Sequence, residues 1–258
     1  MFIMKFFLRK VIIVAGLLSI LSNGGKASEN QRIVLSTSFG MPYVSEDGKE
    51  GFLNLLAEDI FRRVGVDVNI VILPAERSMQ NVNQGIEDGE LNRISGLEKI
   101  YPNLIMVSEP LISVEYTGFT KVGKNPFQNN TITEPIQSWS RLEPYIIGII
   151  KGWKIYEKEV AAVKKRTIVR NMELLFKLLE NDRADIIMVT RITGHYYSHK
   201  FGIATTIIEP PFDIRGNYIY LHKQHAHLVP KLTAALRAAK ADGTYDRLYK
   251  RIIEPHLH

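Results

Sequence analysis

Residues 53–73 read LNLLAEDIFRRVGVDVNIVIL. Leu53, Leu56, Ala57, Ile60, Phe61 and Val64 recur at intervals of three and four, while Glu58, Asp59, Arg62 and Arg63 take the other face, so the spacing predicts an amphipathic helix over 53–64. Gly65 ends it, and the β-branched run 68–73 reads as a strand. A second apolar run, 33–37, lies upstream. Strand, helix and strand in that order are the pattern of parallel strands joined by crossover helices, which makes the chain an α/β protein.

Outward from this unit the alternation continues. A helix is predicted over 75–84 and strands over 90–94, 104–107 and 116–121. The stretch 123–140, made largely of Gly, Pro, Asn, Gln, Ser and Thr, then interrupts the alternation and reads as an excursion into a second lobe. There the predicted strands are 145–150, 167–169 and 185–189, and the predicted helices 153–163 and 172–180. Past Pro210-Pro211 come a strand over 217–222, a helix over 228–239 closed by Asp242-Gly243, and a last helix over 245–253.

Composition removes several classes of function. The 258 residues are 45% hydrophobic and 23% charged, as in an ordinary globular protein, and they include no Cys. A disulfide framework, a thiolate metal site, an iron–sulfur cluster and a thiol nucleophile are therefore excluded. Lys5, Arg9 and Lys10 precede an apolar run over 11–21, and Gly25-Lys26-Ala27 supplies small residues for a peptidase, the layout of a cleavable signal peptide over 1–27. Cleavage after Ala27 removes four positive charges and no acid, taking the net charge from +6 to +2 and leaving 231 residues. A balance of +2 offers no case for nucleic acid or a membrane surface as partner.

The order of short motifs behind that signal resembles the family 3 extracellular solute-binding proteins, the periplasmic receptors of polar amino-acid ABC importers. The resembling pieces are Gly40-Met41-Pro42-Tyr43, Asp47-Gly48, Gly51-Phe52, Leu73-Pro74, Arg77-Ser78, Gly85 and Asp88-Gly89. They continue as Tyr101-Pro102, Ser108-Glu109-Pro110-Leu111 and the terminal Ala241-Asp242-Gly243-Thr244-Tyr245-Asp246. The resemblance implies a two-lobe, type II periplasmic-binding fold. Lobe one would be 32–117 plus 210–258, and lobe two the inserted 118–209, joined by two hinge crossovers. It further implies a monomer in the periplasm that clamps a small solute between the lobes and delivers it to permease subunits, with no cofactor and no catalysis.

The same resemblance, with the chemistry of the residues, nominates a ligand site. Phe39 and Tyr43 follow the first predicted strand, where similar proteins place rings against the ligand. Arg77 and Arg93 stand where loops open onto the cleft, and a guanidinium fork suits a carboxylate or phosphate; the alternative is an ion pair with Glu76 or Glu90. In lobe two, Gly148-Ile149-Ile150-Lys151-Gly152-Trp153 resembles the family's strand-to-helix loop. Its backbone N–H groups at Gly152 would receive an oxyanion and Trp153 would stack, against the alternative of a plain turn. Two departures stand out. The family's Thr-x-x-Arg segment, whose Arg grips an α-carboxylate, is replaced by 96–102 with no Arg, and the strand that usually ends in an ammonium-binding Asp ends instead in Thr190-Arg191. Together Arg77, Arg93 and Arg191 point to a solute more negative than positive.

Other chemistries compete. His222, His225 and His227, with His256 and His258, invite a metal reading, but they fall on a predicted turn and read as a solvated loop. His195 and His199 are four apart on a possible helix without the carboxylate of a zinc protease. Asn129-Asn130-Thr131 is a glycosylation sequon without consequence in a chain of bacterial type. An enzyme of cyclohexadienyl dehydratase type uses the same fold, and Glu76, Glu109 and Glu209 are the acids available to it. An accessory sensor for a membrane signalling partner is the third reading.

Overall fold

The structure, a computed structural model, describes residues 31–38, 40–47, 49–127 and 138–257. The signal segment 1–27, Phe39, Gly48, His258 and the sequon at 129–131 lie outside the described residues.

The opening unit forms as its periodicity predicts. Strand β1 (Arg32–Thr37) pairs in parallel with β2 (Asp67–Ile72), and helix α1 (Phe52–Arg63) crosses between them. Its residues Leu53, Leu56, Ala57, Ile60 and Phe61 are fully buried, and each large apolar side chain so buried contributes about 1.5–3 kcal/mol. Asp59, which the sequence places on the outer face, is in fact buried. Arg62 and Arg63 in the last turn reach back to it at 2.5 Å each, which satisfies its carboxylate and matches the helix dipole. Helix α2 (Ala75–Asn83) leads to β3 (Gly89–Ile94), which lies parallel to β1 on its other side.

The next strands are β4 (Leu104–Met106), β5 (Ile112–Lys121) and β6 (Ile147–Ile150), followed by the short α3 (Lys154–Glu159) and β7 (Arg166–Val169). Then come α4 (Met172–Glu180), β8 (Ile186–Thr190), α5 (Arg191–Phe201), β9 (Thr205–Ile207) and β10 (Asp213–His222), and α6 (Val229–Ala241) and α7 (Thr244–Ile252) finish the described chain. One hydrogen-bonded path runs β2-β1-β3-β10-β5-β8-β6-β7, with β4 on β10 and β9 on β5. Two parallel blocks, β2-β1-β3 and β8-β6-β7, are thus joined through β10 and β5, which run antiparallel to each other and to their block neighbours.

The joining strands differ from expectation in two ways. They are antiparallel where alternation predicts parallel pairing, and each is ten residues long, starting four residues earlier than predicted. Those extra halves are where β5 and β10 pair, from Ile112↔Asn217 to Tyr116↔Asp213; from Tyr116 onward β5 pairs instead with β8 and then β9. A run of alternating residues announces a strand, but not which neighbour supplies its hydrogen bonds. Helix α3 is also shorter than the predicted 153–163. The guanidinium of Arg166 donates to the carbonyls of Val160, Ala161 and Val163, taking over acceptors that further helix would have used.

Helix α5, which the sequence offers only as a possible helix around His195 and His199, has a weak amphipathic pattern. Gly194 within it is packed so closely on Phe119 of β5 that an added Cβ would lie 2.1 Å from the ring. No helix among the described residues is long and apolar enough to cross a membrane.

Candidate functional site

Four segments converge on one cavity of about 670 Å³, its open mouth included. The first follows β1. Gly40 and Val44 pair back to back across a tight turn, with N···O distances of 3.0–3.1 Å, and the carbonyls of Pro42 and Tyr43 accept the first N–H groups of α1 from Phe52 and Leu53. The helix start therefore fastens the loop. Gly51 has to be glycine there, since a Cβ would come within 2.5 Å of the Tyr43 carbonyl oxygen. Tyr43 is held buried by this packing, and its ring lines the cavity.

The second wall is β3. Residues 90 and 93 of a regular strand point to opposite faces, yet Arg93 Nη2 lies 2.7 Å from Glu90 Oε1. The cause is a bulge. Asn92 adopts φ 78°, and Tyr218 and Tyr220 of β10 pair with Arg93 and Glu90, so β3 carries one residue more than its partner between these two pairs. The extra residue turns Arg93 back toward Glu90 and into the cavity lining. Asn92 is itself pinned in a chain: Asn217 Nδ2 donates to Asn92 Oδ1 at 2.8 Å, and Tyr116 Oη donates to Asn217 Oδ1 at 2.9 Å.

Glu90 is completely buried, and that burial pushes its carboxyl up to about 8 even though Arg93 and the Ser36 hydroxyl, 3.3 Å from Oε2, pull the other way. Arg93 Nη2 and Glu90 Oε1 are close without the alignment of a hydrogen bond, and Arg93 Nε and Nη2 have no aligned acceptor among the described residues. Nη1 has only long contacts, 3.5 Å to Ser38 Oγ and 3.4 Å to the Asn92 carbonyl.

The third wall comes from the loop between β6 and α3. Gly152 sits at φ 87°, and an added Cβ would lie 2.9 Å from both Ala75 Cβ and the Glu76 nitrogen, so only glycine lets this loop meet the start of α2. The Gly152 N–H is already used, donating to Glu157 Oε1 at 2.7 Å. It is thus not the free oxyanion donor that the loop suggests in the sequence. Trp153 is half-buried, lines the cavity, and stacks on Tyr156 with ring centroids 6.0 Å apart and planes 16° apart. Lys154 also lines the cavity and bridges to Glu76 Oε2 at 2.5 Å and Glu157 Oε2 at 3.3 Å. The fourth wall is the β8–α5 junction, where Thr190 and Thr193 face the cavity and the buried Thr190 Oγ1 has no hydrogen-bond partner among the described residues.

The structure therefore brings Tyr43, Arg93, Gly152 and Trp153 together. Arg77 and Arg191 are elsewhere. Helix α2 buries Ala75, Ser78, Met79 and Val82, and that phase turns Arg77 to solvent, away from the cavity. Arg191 is spent on ion pairs. Its Nη1 and Nη2 meet Glu209 Oε1 and Oε2 at 2.5 and 2.7 Å, and its Nε meets Glu115 Oε2 at 2.6 Å. Arg191→Ala is expected to lower stability by about 1–2 kcal/mol, a bidentate pair discounted for its partly solvated carboxylates, and to leave solute affinity within about twofold. Chemical denaturation and a binding titration of the variant check both. Sequence reasoning missed Asn92, Tyr116, Lys154, Thr193 and Asn217 as cavity residues. Lys154 directly follows the nominated Trp153, but the others carry no signal short of the strand partners.

The remaining nominated groups have structural partners. His225 Nε2 contacts Asp88 Oδ1 at 2.6 Å in a turn over Lys223–Leu228, and no cluster of three metal-binding side chains occurs among the described residues. Glu76 accepts from Tyr101 Oη at 3.2 Å besides holding Lys154. Glu109 is held below the usual carboxylate range by its bonds to Lys240 and Arg237.

With this geometry in hand the chain can be set beside known proteins. No family model matches it. An uncharacterized protein of Shewanella oneidensis is 26% identical over 212 residues, spanning 80% of this chain and 78% of that protein. Among solved structures, the substrate binding protein of an amino acid ABC transporter superposes with a TM-score of 0.68 at 19% identity, covering 86% of this chain and 99% of that one. A histidine kinase sensor domain with similarity to periplasmic binding proteins gives 0.73 at 15% identity, covering 87% and 97%. The fold is that of the two-lobe, type II periplasmic binding proteins.

Proposed function

We propose that this protein captures a small anionic or amino-acid-like solute between its lobes in the periplasm and delivers it, as a monomer without cofactor or catalysis, to an ABC-type importer. The observation that carries the reading is the cavity itself: residues of the loop after β1 and of β3, β5 and β10 form one side, residues of the β6–α3 and β8–α5 junctions the other, and Arg93 is in the lining. Small-molecule sites are concave, mostly apolar and furnished with a few convergent polar groups, and this one has that make-up. The Lys154–Glu76 bridge and the seat of Gly152 against Ala75 tie the two sides together, as hinge closure around a solute requires. Non-enzymatic action is supported by the engagement of Glu76, Glu109 and Glu209 in ion pairs.

Thermal shift across amino acids, dicarboxylates, small peptides and sugar acids tests the binding. A solute at a hundred times its Kd stabilises the native state by about 2.7 kcal/mol, so a selective rise of several degrees is expected. No shift with any compound sinks the reading. Delivery is tested by uptake of the identified solute in cells lacking the gene, where import should fall. A second reading, an accessory sensor, draws on the likeness to the kinase sensor domain; unchanged uptake alongside a lost transcriptional response to the solute favours it.

A further inference from the structure

Two residues that line the cavity carry buried polar atoms without an aligned hydrogen-bond partner among the described residues. On one side is the Arg93 guanidinium, whose Nη2 lies 2.7 Å from Glu90 Oε1 without hydrogen-bond alignment and whose Nε lacks an aligned acceptor among the described residues; on the other is Thr190 Oγ1, buried and without a hydrogen-bond partner among the described residues, at the start of α5 with no side-chain cap bond. Buried donors are stable only when an acceptor reaches them, and the first N–H groups of an eleven-residue helix beside Thr190 add to the demand for negative charge. A carboxylate supplies two oxygens in the plane that a guanidinium matches.

The charges around the cavity set how many such groups the solute carries. Lys154 lines the space, but Glu76 and Glu157 already answer its charge. Arg93 faces one carboxyl only, on the fully buried Glu90, and burial favours the neutral form of that acid. Of the two cations in the lining, Arg93 is therefore the one with no ionised acid in contact. No carboxylate lines the cavity among the described residues; next to the lining, Glu76 and Glu157 are held by Lys154, Glu115 by Arg191, and burial favours the neutral form of Glu90. An ammonium carried into this space would leave water, meet two cations and find no anion, which is costly. The rest of the lining, with Trp153 half-buried and Tyr43, Ile94, Leu97 and Ile155 beside it, suits an apolar or aromatic body.

We propose that the solute is a monocarboxylate with an aryl or branched-alkyl body and that the site rejects the same molecule when it carries an α-ammonium group. This rests on the solute-binding reading above and narrows it. Titration calorimetry of the purified protein with two matched pairs tests it: 3-phenylpropionate against phenylalanine, and 4-methylpentanoate against leucine. At least one carboxylate is expected to bind ten times or more tighter than its amino acid. An amino acid that binds as well as or better than its partner overturns the inference and leaves solute binding intact. So does silence from both pairs when another solute of the wider panel binds; silence from every compound sinks both. Thr190→Asp is expected to reverse the preference within a pair by giving an ammonium its missing anion. A folded variant with the wild-type preference also counts against the inference.

Discussion

Arg93→Ala is expected to weaken binding of an anionic solute by a hundredfold or more. Truncating one partner of a buried, charge-assisted pair costs about 2–5 kcal/mol, much of it because the other charge is left buried and alone, and about 2.7 kcal/mol is already a factor of a hundred. Arg93 meets those conditions: it lines the cavity, only 12% of its side chain is exposed, and its Nε and Nη2 make no aligned hydrogen bond within the described protein. Arg77→Ala is the contrast, since that side chain points to solvent from α2 and should change affinity less than twofold. Arg93→Lys separates charge from shape. An ammonium keeps the attraction but loses the planar fork, so an intermediate loss is expected. Full affinity in the alanine variant, measured by calorimetry on protein whose melting confirms folding, would remove Arg93 from the site.

The contrast between the two arginines shows what a sequence carries and what it withholds. Arg77 could have been set aside from helical phase alone, because Ala75, Ser78, Met79 and Val82 mark the buried side of α2 and Arg77 lies off it. Arg93 could not have been confirmed the same way. Strict alternation puts it on the face opposite Glu90, and only the bulge at Asn92, a consequence of pairing with β10 more than a hundred residues later, returns it to the cavity. Elements set by local spacing, such as α1 and α4, were legible to within a residue or two. Helix α4 occupies Met172–Glu180, the range its spacing predicts. Strand partners were not, because a period of two says which residues share a face and nothing about which strand lies alongside. The Tyr116–Asn217–Asn92 chain joins three strands far apart in the sequence and left no trace in it.

The second large effect concerns Glu90 and has a definite sign. Its carboxyl is raised by burial to about 8 in the native protein from an ordinary 4.5, so between those values the folded chain holds a proton that the unfolded chain has released. Stability is therefore fully present below about pH 4.5 and falls as pH rises toward 8, by up to about 1.4 kcal/mol per unit and about 3 kcal/mol by pH 7. The groups facing the carboxyl are Arg93 on its own strand, Ser36 and Thr37 on β1, and Glu87 in the turn before β3. Ser78 Oγ, 2.7 Å from Ser36 Oγ, extends the contact to α2. Glu90→Gln keeps the shape, removes the titration, and is expected to raise the melting temperature more at pH 8.5 than at pH 5. Binding follows the same proton. Ionised Glu90 competes with a carboxylate solute for Arg93, so if only the protonated form binds, affinity drops about tenfold from pH 7 to pH 9. Because other carboxylates and histidines titrate as well, the decisive comparison is the wild type against Glu90→Gln across that range. Parallel pH profiles in melting and affinity would show that Glu90 is ionised throughout, paired with Arg93 rather than leaving it to the solute.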